Sequence, residues 1–322
     1  MELITPDDID FSVYENETDA KQKVKPASIW VQELIARINS PIREKRAVMP
    51  WRKTHGLVQF RPGEVTIWGG ANGAGKSLVT GQLALSLCAQ GEKVCIASFE
   101  MKPIKTLERM GRQWSAFNAN HPAYAGSDEA KAQFTDLYGQ FSDWTDGKLW
   151  LYDQQGTVNA RQCAAVVRYC AKERGITHFF VDSLMKCVSG EDDYNGQKAF
   201  LDELTAIARD YNIHVHLVHH IKKPPNEEHR PNKYDYKGSG AITDQADNVI
   251  SVWRDKGKER DKADHKLVDE SKRPDALLIC DKQRNGEWEG TIGLWFHADS
   301  QQFLGMAGDE PLSLYLHPEE SA

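Results

Sequence analysis

An apolar run, Val65 to Trp68, leads almost at once into Gly70-Ala71-Asn72-Gly73-Ala74-Gly75-Lys76-Ser77, and a helical periodicity then runs from Lys76 to Gln90, where Gly91 stops it. This order of strand, glycine turn and helix constrains the chain more than any other feature. The glycines let the backbone curl so that successive N–H groups face inward, and the helix start adds the positive end of its dipole. Together they form an anion cup. In a G-x-x-x-x-G-K-S pattern the lysine, here Lys76, reaches the β and γ phosphates of a nucleoside triphosphate, and the hydroxyl of Ser77 coordinates Mg²⁺. Gly70 through Ser77 are therefore the expected binding set for ATP and its Mg²⁺.

Beyond this cup, strand-like and helix-like segments alternate. Strands are expected at Lys93–Phe99, Lys148–Tyr152, His178–Val181, His214–Val218, Val249–Trp253 and Ala276–Cys280. Helices are expected over a partly polar stretch reaching about Asp143, over Ala160–Arg174 closed by Gly175, and over Gln197–Tyr211. Such alternation marks an α/β fold with a mostly parallel central sheet covered by helices on both faces. The strands after Asn248 come without helices between them, which predicts an antiparallel extension at one edge.

Two carboxylates stand where open parallel sheets present their ligands, at the carboxyl ends of strands. Glu100 follows the strand ending at Phe99 and is the candidate general base; Asp182 follows His178-Phe179-Phe180-Val181 and is the candidate support for Mg²⁺. Two segments interrupt the core. Lys222–Gly240, rich in Pro, Asn and Lys, reads as a long mobile loop, and 254–273 carries 8 basic and 6 acidic residues in 20 positions, which reads as a solvated insertion.

Composition excludes several classes. A net charge of −7 rules out a uniformly basic nucleic-acid coat, and 40% hydrophobic residues rule out a wholly disordered chain. No run approaches the length of a membrane span and the start is acidic, so the protein is expected in the cytoplasm. The 6 cysteines are scattered without a C-x-x-C pair and read as reduced core residues.

The ordered set of motifs resembles the RecA-like ATPase domain of DnaB-type replicative helicases, particularly the phage primase-helicase and Twinkle-like branch. Arg61-Pro62-Gly63-Glu64 precedes the phosphate loop, Ser98-Phe99-Glu100-Met101 is similar to the family's S-L-E-M, and Phe179 to Leu184 resembles its second nucleotide motif. His216-Leu217-Val218-His219-His220-Ile221-Lys222-Lys223-Pro224 is similar to the phage branch, and Lys282-Gln283-Arg284-Asn285-Gly286 to the family's K-Q-R-N-G. What this implies is a hexameric ring with ATP at each subunit boundary. Glu100 would activate water and His220 would sense the γ-phosphate, although the adjacent His219, facing the opposite way in an extended chain, competes for that place. Arg284 and Lys282 would reach a neighbour's nucleotide, where a planar cation neutralises charge developing on the γ-phosphoryl oxygens.

Single-stranded DNA is the expected polymer, held by backbone contacts. Lys222, Lys223, Arg230, Lys233 and Lys237, interleaved with Tyr234 and Tyr236, are the expected DNA contacts, and Lys186 to Lys198 is a second candidate segment. The expected domains are a flexible acidic arm (1–26), a linker helix (27–46) with an apolar face of Trp30, Val31, Leu34, Ile35 and Ile38, the RecA-like domain (47–306) and a tail (307–322). The first 46 residues are too few for a primase and hold no zinc-ligand cysteines, so a separate primase, polymerase or loader is the expected partner. The reading is thus an ATP-driven, ring-forming DNA helicase of viral or mobile-element type. Its rivals are a RecA/RadA-type DNA-dependent recombination ATPase and a nucleotide-switched loader or interaction protein.

Overall fold

A computed structural model describes residues 2–4, 26–39, 46–124, 126–190, 192–238 and 240–315. The strands are β1 (Glu2–Ile4), β2 (Ala47–Val48), β3 (Gln59–Phe60), β4 (Val65–Gly69), β5 (Val94–Ser98), β6 (Leu149–Tyr152), β7 (His178–Asp182), β8 (His214–Val218), β9 (Asn248–Arg254), β10 (Ala276–Gln283), β11 (Gly290–His297) and β12 (Gln302–Leu304). The helices are α1 (Ala27–Asn39), α2 (Lys76–Ala89), α3 (Pro103–Ser115), α4 (Asp128–Thr145), α5 (Ala160–Tyr169), α6 (Tyr194–Tyr211), α7 (Ala241–Gln245) and α8 (Lys256–Ala263).

One sheet of 10 strands runs in the order β1-β6-β5-β7-β8-β4-β9-β10-β11-β12. From β1 to β9 every pairing is parallel, and from β9 to β12 every pairing is antiparallel, as the sequence predicts for this edge. Alternation along the strands divides the core in two. Val65, Ile67, Cys95, Ala97, Phe179, Val181, Val215 and Leu217 pack with the buried faces of α5 and α6. Trp68, Val94, Ile96, Phe180, Val218 and Ile250 pack with α2, α3 and α4 on the other side. Burial on both faces is why these strands read as nearly continuous apolar runs. All six cysteines are free and buried.

Several expectations change. The single helical stretch before Asp143 is two helices, broken where Ala116 turns left-handed (φ 60°). The long helix to Arg174 is α5 plus one wider π turn, Cys170–Arg174, ended by Gly175 at φ 64°. Residues 2–4 of the expected arm form β1, which pairs with Trp150–Tyr152 of β6; residues 5–25 lie outside the described residues. The fold also continues past 306, into the expected tail: Leu314 is buried and its N–H donates to the Trp114 carbonyl at 2.9 Å.

The charged insertion is not merely solvated. It folds as α8 between β9 and β10, capped by Asp255, whose carboxylate accepts from the Lys258 N–H at 2.7 Å. Lys258 is fully buried, and its ammonium pairs with Glu270 at 2.6 Å and Asp275 at 2.8 Å. Arg273 ties the segment down through Asp255 and Asp261, at 2.8 and 2.7 Å. A lysine whose charge is matched on site can bury its stem, which composition alone does not reveal.

The loop read as mobile is likewise built. Ile221 bridges to Tyr236, Lys222 N donates to the Asp235 carbonyl at 2.7 Å, and Tyr236 is buried with its hydroxyl 2.9 Å from Ser251 Oγ.

Candidate active site

The loop between β4 and α2 takes its shape from its glycines. Gly70 adopts φ 150°, and a Cβ there would come 2.5 Å from the Val252 carbonyl of β9; Gly75, which opens α2, sits at φ 94°. No side chain fits the first position, and the second needs a left-handed residue. The adjacent strands β5, β7, β8 and β4 are parallel, so their carboxyl ends meet on one edge of the sheet. Glu100, His220 and the phosphate loop lie just past the ends of β5, β8 and β4, and Asp182 is the last residue of β7.

A cavity of 610 Å³ opens there, lined among others by Asn72, Gly73, Gly75, Lys76, Ser77, Glu100, Asp182 and His220. Lys76 Nζ donates to the Gly70 and Ala71 carbonyls at 2.9 and 3.0 Å. Burial lowers its pKa, against the pull of Asp182 and Glu100. Ser77 Oγ donates to Asp182 Oδ2 at 2.7 Å, and burial raises the Asp182 carboxyl above its usual range while that hydrogen bond opposes the shift. A hydroxyl and a carboxylate side by side are the hard oxygen donors that Mg²⁺ takes, so these residues fit the ion.

Glu100 accepts from Ser183 Oγ at 3.1 Å and lies 3.5 Å from His220 Nε2. The two neighbouring histidines divide as an extended chain requires. His220 lines the cavity, with Nδ1 3.5 Å from Lys76 Nζ, and burial followed by the Lys76 charge lowers its pKa. His219 is fully buried away from the cavity, its Nε2 2.7 Å from the Lys237 carbonyl.

Arg284 and Lys282 lie elsewhere. Because β10 runs against β9, with Gln283 opposite Asn248, its carboxyl end falls at the amino ends of the parallel strands. A five-residue strand separates the two edges, roughly 17 Å at ordinary strand rise. Neither residue lines the cavity of its own chain. Arg284 is held by Asp247 Oδ1 at 3.1 Å and the Gln245 carbonyl at 3.1 Å; Lys282 donates to the Thr243 and Asp244 carbonyls at 3.0 and 2.6 Å.

The residues expected on DNA also separate. Lys222, Lys223 and Arg230 are exposed, with the Arg230 guanidinium 5.4 Å above the Trp253 ring. Lys233, over the ring of the exposed Tyr234, lies near enough to Asp281 and Lys282 to bias their protonation. Lys237 departs from its expected place and lines the phosphate cavity. So does Lys186, the first residue of the second candidate segment.

Sequence reasoning missed three features. Arg109 on α3 and Gln301 line the cavity, the former close enough for its charge to lower the Asp182 pKa. On the other side of Gly73, Ala74 and Gly75 lies a cavity of 300 Å³ lined by Leu78, Arg254, Phe296 and Phe303. Its signal in the sequence is faint: Phe296 near the end of β11 and Phe303 on the edge strand β12 are aromatics of otherwise ordinary antiparallel strands.

A phosphate loop at the mouth of a mostly parallel sheet, with carboxylates on the neighbouring strand ends, defines a RecA-like P-loop nucleotide-binding domain. The chain belongs to the DnaB-like helicase C terminal domain family, whose model matches residues 52–305. It is similar to the replicative DNA helicase DnaB of Treponema pallidum, 25% identical over 252 residues that make up 76% of this chain and 52% of that protein. The replicative DNA helicase DnaC of Bacillus subtilis is 24% identical over 222 residues, 67% of this chain and 46% of that one. The chain thus spans about half the length of these relatives. Among solved structures, one isolated ATPase domain superposes with a TM-score of 0.70 at 17% identity, covering 90% of this chain and all of that one. A DnaB-like replicative helicase studied with primase gives 0.67 at 17%, covering 88% of this chain and 67% of that one.

Proposed function

We propose that the protein is an ATP-driven, ring-forming replicative helicase that translocates on single-stranded DNA and is of viral or mobile-element type. The observation that carries this is the division of the nucleotide machinery between two edges of one sheet. Lys76, Ser77, Asp182, Glu100 and His220 converge on one cavity, while Arg284 and Lys282 stand at the opposite edge. Cations so placed serve a nucleotide only when a second copy brings its cavity to them, so ATP belongs at a subunit boundary.

In this reading the loop N–H groups and Lys76 hold the phosphates, and the Glu100 carboxylate orients and deprotonates the attacking water. Ser77, with the support of Asp182, would hold Mg²⁺, which when bound would supply electrostatic neutralisation of the phosphates. Arg284 and Lys282 of a neighbour stabilise charge on the transferring group at closure. His220 reports the γ-phosphate to the segment that follows it, whose Lys222, Lys223, Arg230 and Lys233 offer cations to the DNA backbone. Phe296 and Arg254 beside the phosphate loop offer an aromatic face and a guanidinium to the base. Helix α1 presents Ile29, Val31, Leu34, Ile35 and Ile38 to solvent, as a linker that packs on the next subunit would. The viral type rests on the His216–Pro224 resemblance, and a separate primase, polymerase or loader is the expected partner.

The test is the ATPase rate with and without single-stranded DNA, with mass in solution measured beside a slowly hydrolysed ATP analogue. DNA stimulation with a hexamer-sized species is expected. Glu100→Gln should lower turnover at least a hundredfold while retaining nucleotide binding, and Lys76→Ala should lose both; full turnover in the two variants would refute the site. A monomer with DNA-independent turnover would favour the nucleotide-switch reading.

A further inference from the structure

The segment from His220 to Lys237 leaves the nucleotide cavity and returns to it. Lys237 N donates to the His220 carbonyl at 3.0 Å, and the His219 ring meets the Lys237 carbonyl at 2.7 Å, so the outgoing and returning legs are joined at their base. One residue earlier, Tyr236 is a buried anchor. Its ring occupies the space over Gly69 where a Cβ would lie 2.2 Å from the phenol, and its hydroxyl bonds Ser251. An anchored neighbour fixes where the next side chain points, and the Lys237 side chain lines the same 610 Å³ cavity as Lys76 and His220. Its charge is felt there, lowering the pKa of both. Among the described residues that line the cavity, the groups of opposite sign are Glu100 and Asp182. Lys76, His220 and Lys237, gathered with Arg109 and Lys186 around a phosphate loop, make a basic lining that suits a terminal phosphate.

We propose that Lys237 is a ligand of the γ-phosphate, supplied by the returning leg of the segment whose outgoing leg supplies His220. The proposal rests on the nucleotide reading of the cavity and removes Lys237 from the DNA-contacting set. Both legs then read the third phosphate, and its loss releases the segment at both ends together, leaving Tyr236 as the pivot.

The test compares the full-length chain with Lys237→Met and Lys237→Arg. Equilibrium binding of AMP-PNP and of ADP, each with Mg²⁺, is measured alongside nucleotide-free binding of an oligo-dT. Lys237→Met should weaken AMP-PNP at least tenfold more than ADP, Lys237→Arg should recover most of that selectivity, and oligo-dT affinity should stay within about twofold of wild type. Equal weakening of both nucleotides would overturn the proposal in favour of a structural role. Reduced oligo-dT affinity with unchanged AMP-PNP to ADP selectivity would overturn it in favour of a DNA contact. A wild-type chain that binds neither nucleotide would overturn the reading of the cavity itself, and this proposal with it.

Discussion

Three histidines stack inside the sheet, and their hydrogen bonds define their tautomers. Trp68 Nε1 donates to His216 Nδ1 at 3.2 Å, which leaves the proton on Nε2, facing His178 Nδ1 at 3.1 Å. His214 Nδ1 donates to the Arg61 carbonyl at 2.6 Å, and its Nε2 accepts from Thr66 at 2.8 Å. A second proton on any ring would be a buried donor without an acceptor. Burial therefore pushes His214 down to about 4, and His178 and His216 well below their usual range. Since these folded values lie below the unfolded one near 6.5, the unfolded state binds more protons as the solution is acidified. The stability these rings allow is fully present above pH 6.5 and drains as pH falls towards 4, about 3 kcal/mol for His214 alone. Urea midpoints between pH 7.5 and 5.5 should show an uptake of protons on unfolding that grows as pH falls and reaches at least about two near pH 5.5; a smaller uptake there would contradict the tautomer network.

At the scale of elements, the insertion between β9 and β10 offers the sharpest contrast between composition and structure. Lys258→Met keeps the buried stem of α8 and strips Glu270 and Asp275 of the buried one of the two cations they share, leaving them the exposed Lys262 at 2.8 and 3.3 Å. A loss of about 2 kcal/mol is expected, short of a fully buried pair because Glu270 is half exposed. Chemical denaturation reads it directly, and a change under about 0.5 kcal/mol would show that α8 is held by packing alone. What was legible before the structure follows the same line. The parallel strands announced themselves because both faces of the sheet are covered, and the phosphate loop because its glycines cannot be replaced. Lys258 and Tyr236 were illegible because their burial depends on partners distant in the chain, Asp275 and Ser251, which no local pattern marks. Arg109 was missed for a related reason: on α3 it reads as one more polar residue of a surface helix, and only the turn of the chain after Glu100 aims it at Asp182.

For the whole molecule, the proposed ring would make assembly and chemistry one property, because the sheet divides the site residues between two edges. Leu34 on α1 is 55% exposed, so Leu34→Asp should leave the single chain as stable as before. The variant should nevertheless lose both the hexamer-sized species and DNA-stimulated turnover, measured by light scattering and steady-state ATPase. A variant that keeps its mass would show that α1 holds nothing together. The same logic explains why the site was only half readable: Glu100 and Asp182 mark themselves by following apolar strands, whereas the antiparallel turn of β10 that carries Arg284 away from them is a property of the complete sheet.

The ammonium of Lys76 rests on the carbonyls of Gly70 and Ala71, two oxygens of the very loop that receives the phosphates. An incoming polyphosphate therefore displaces an internal competitor, and a departing diphosphate leaves behind a lysine that already has somewhere to go. The loop is built to let go as well as to hold, which sets an upper limit on how tightly a spent nucleotide can stay in the cavity.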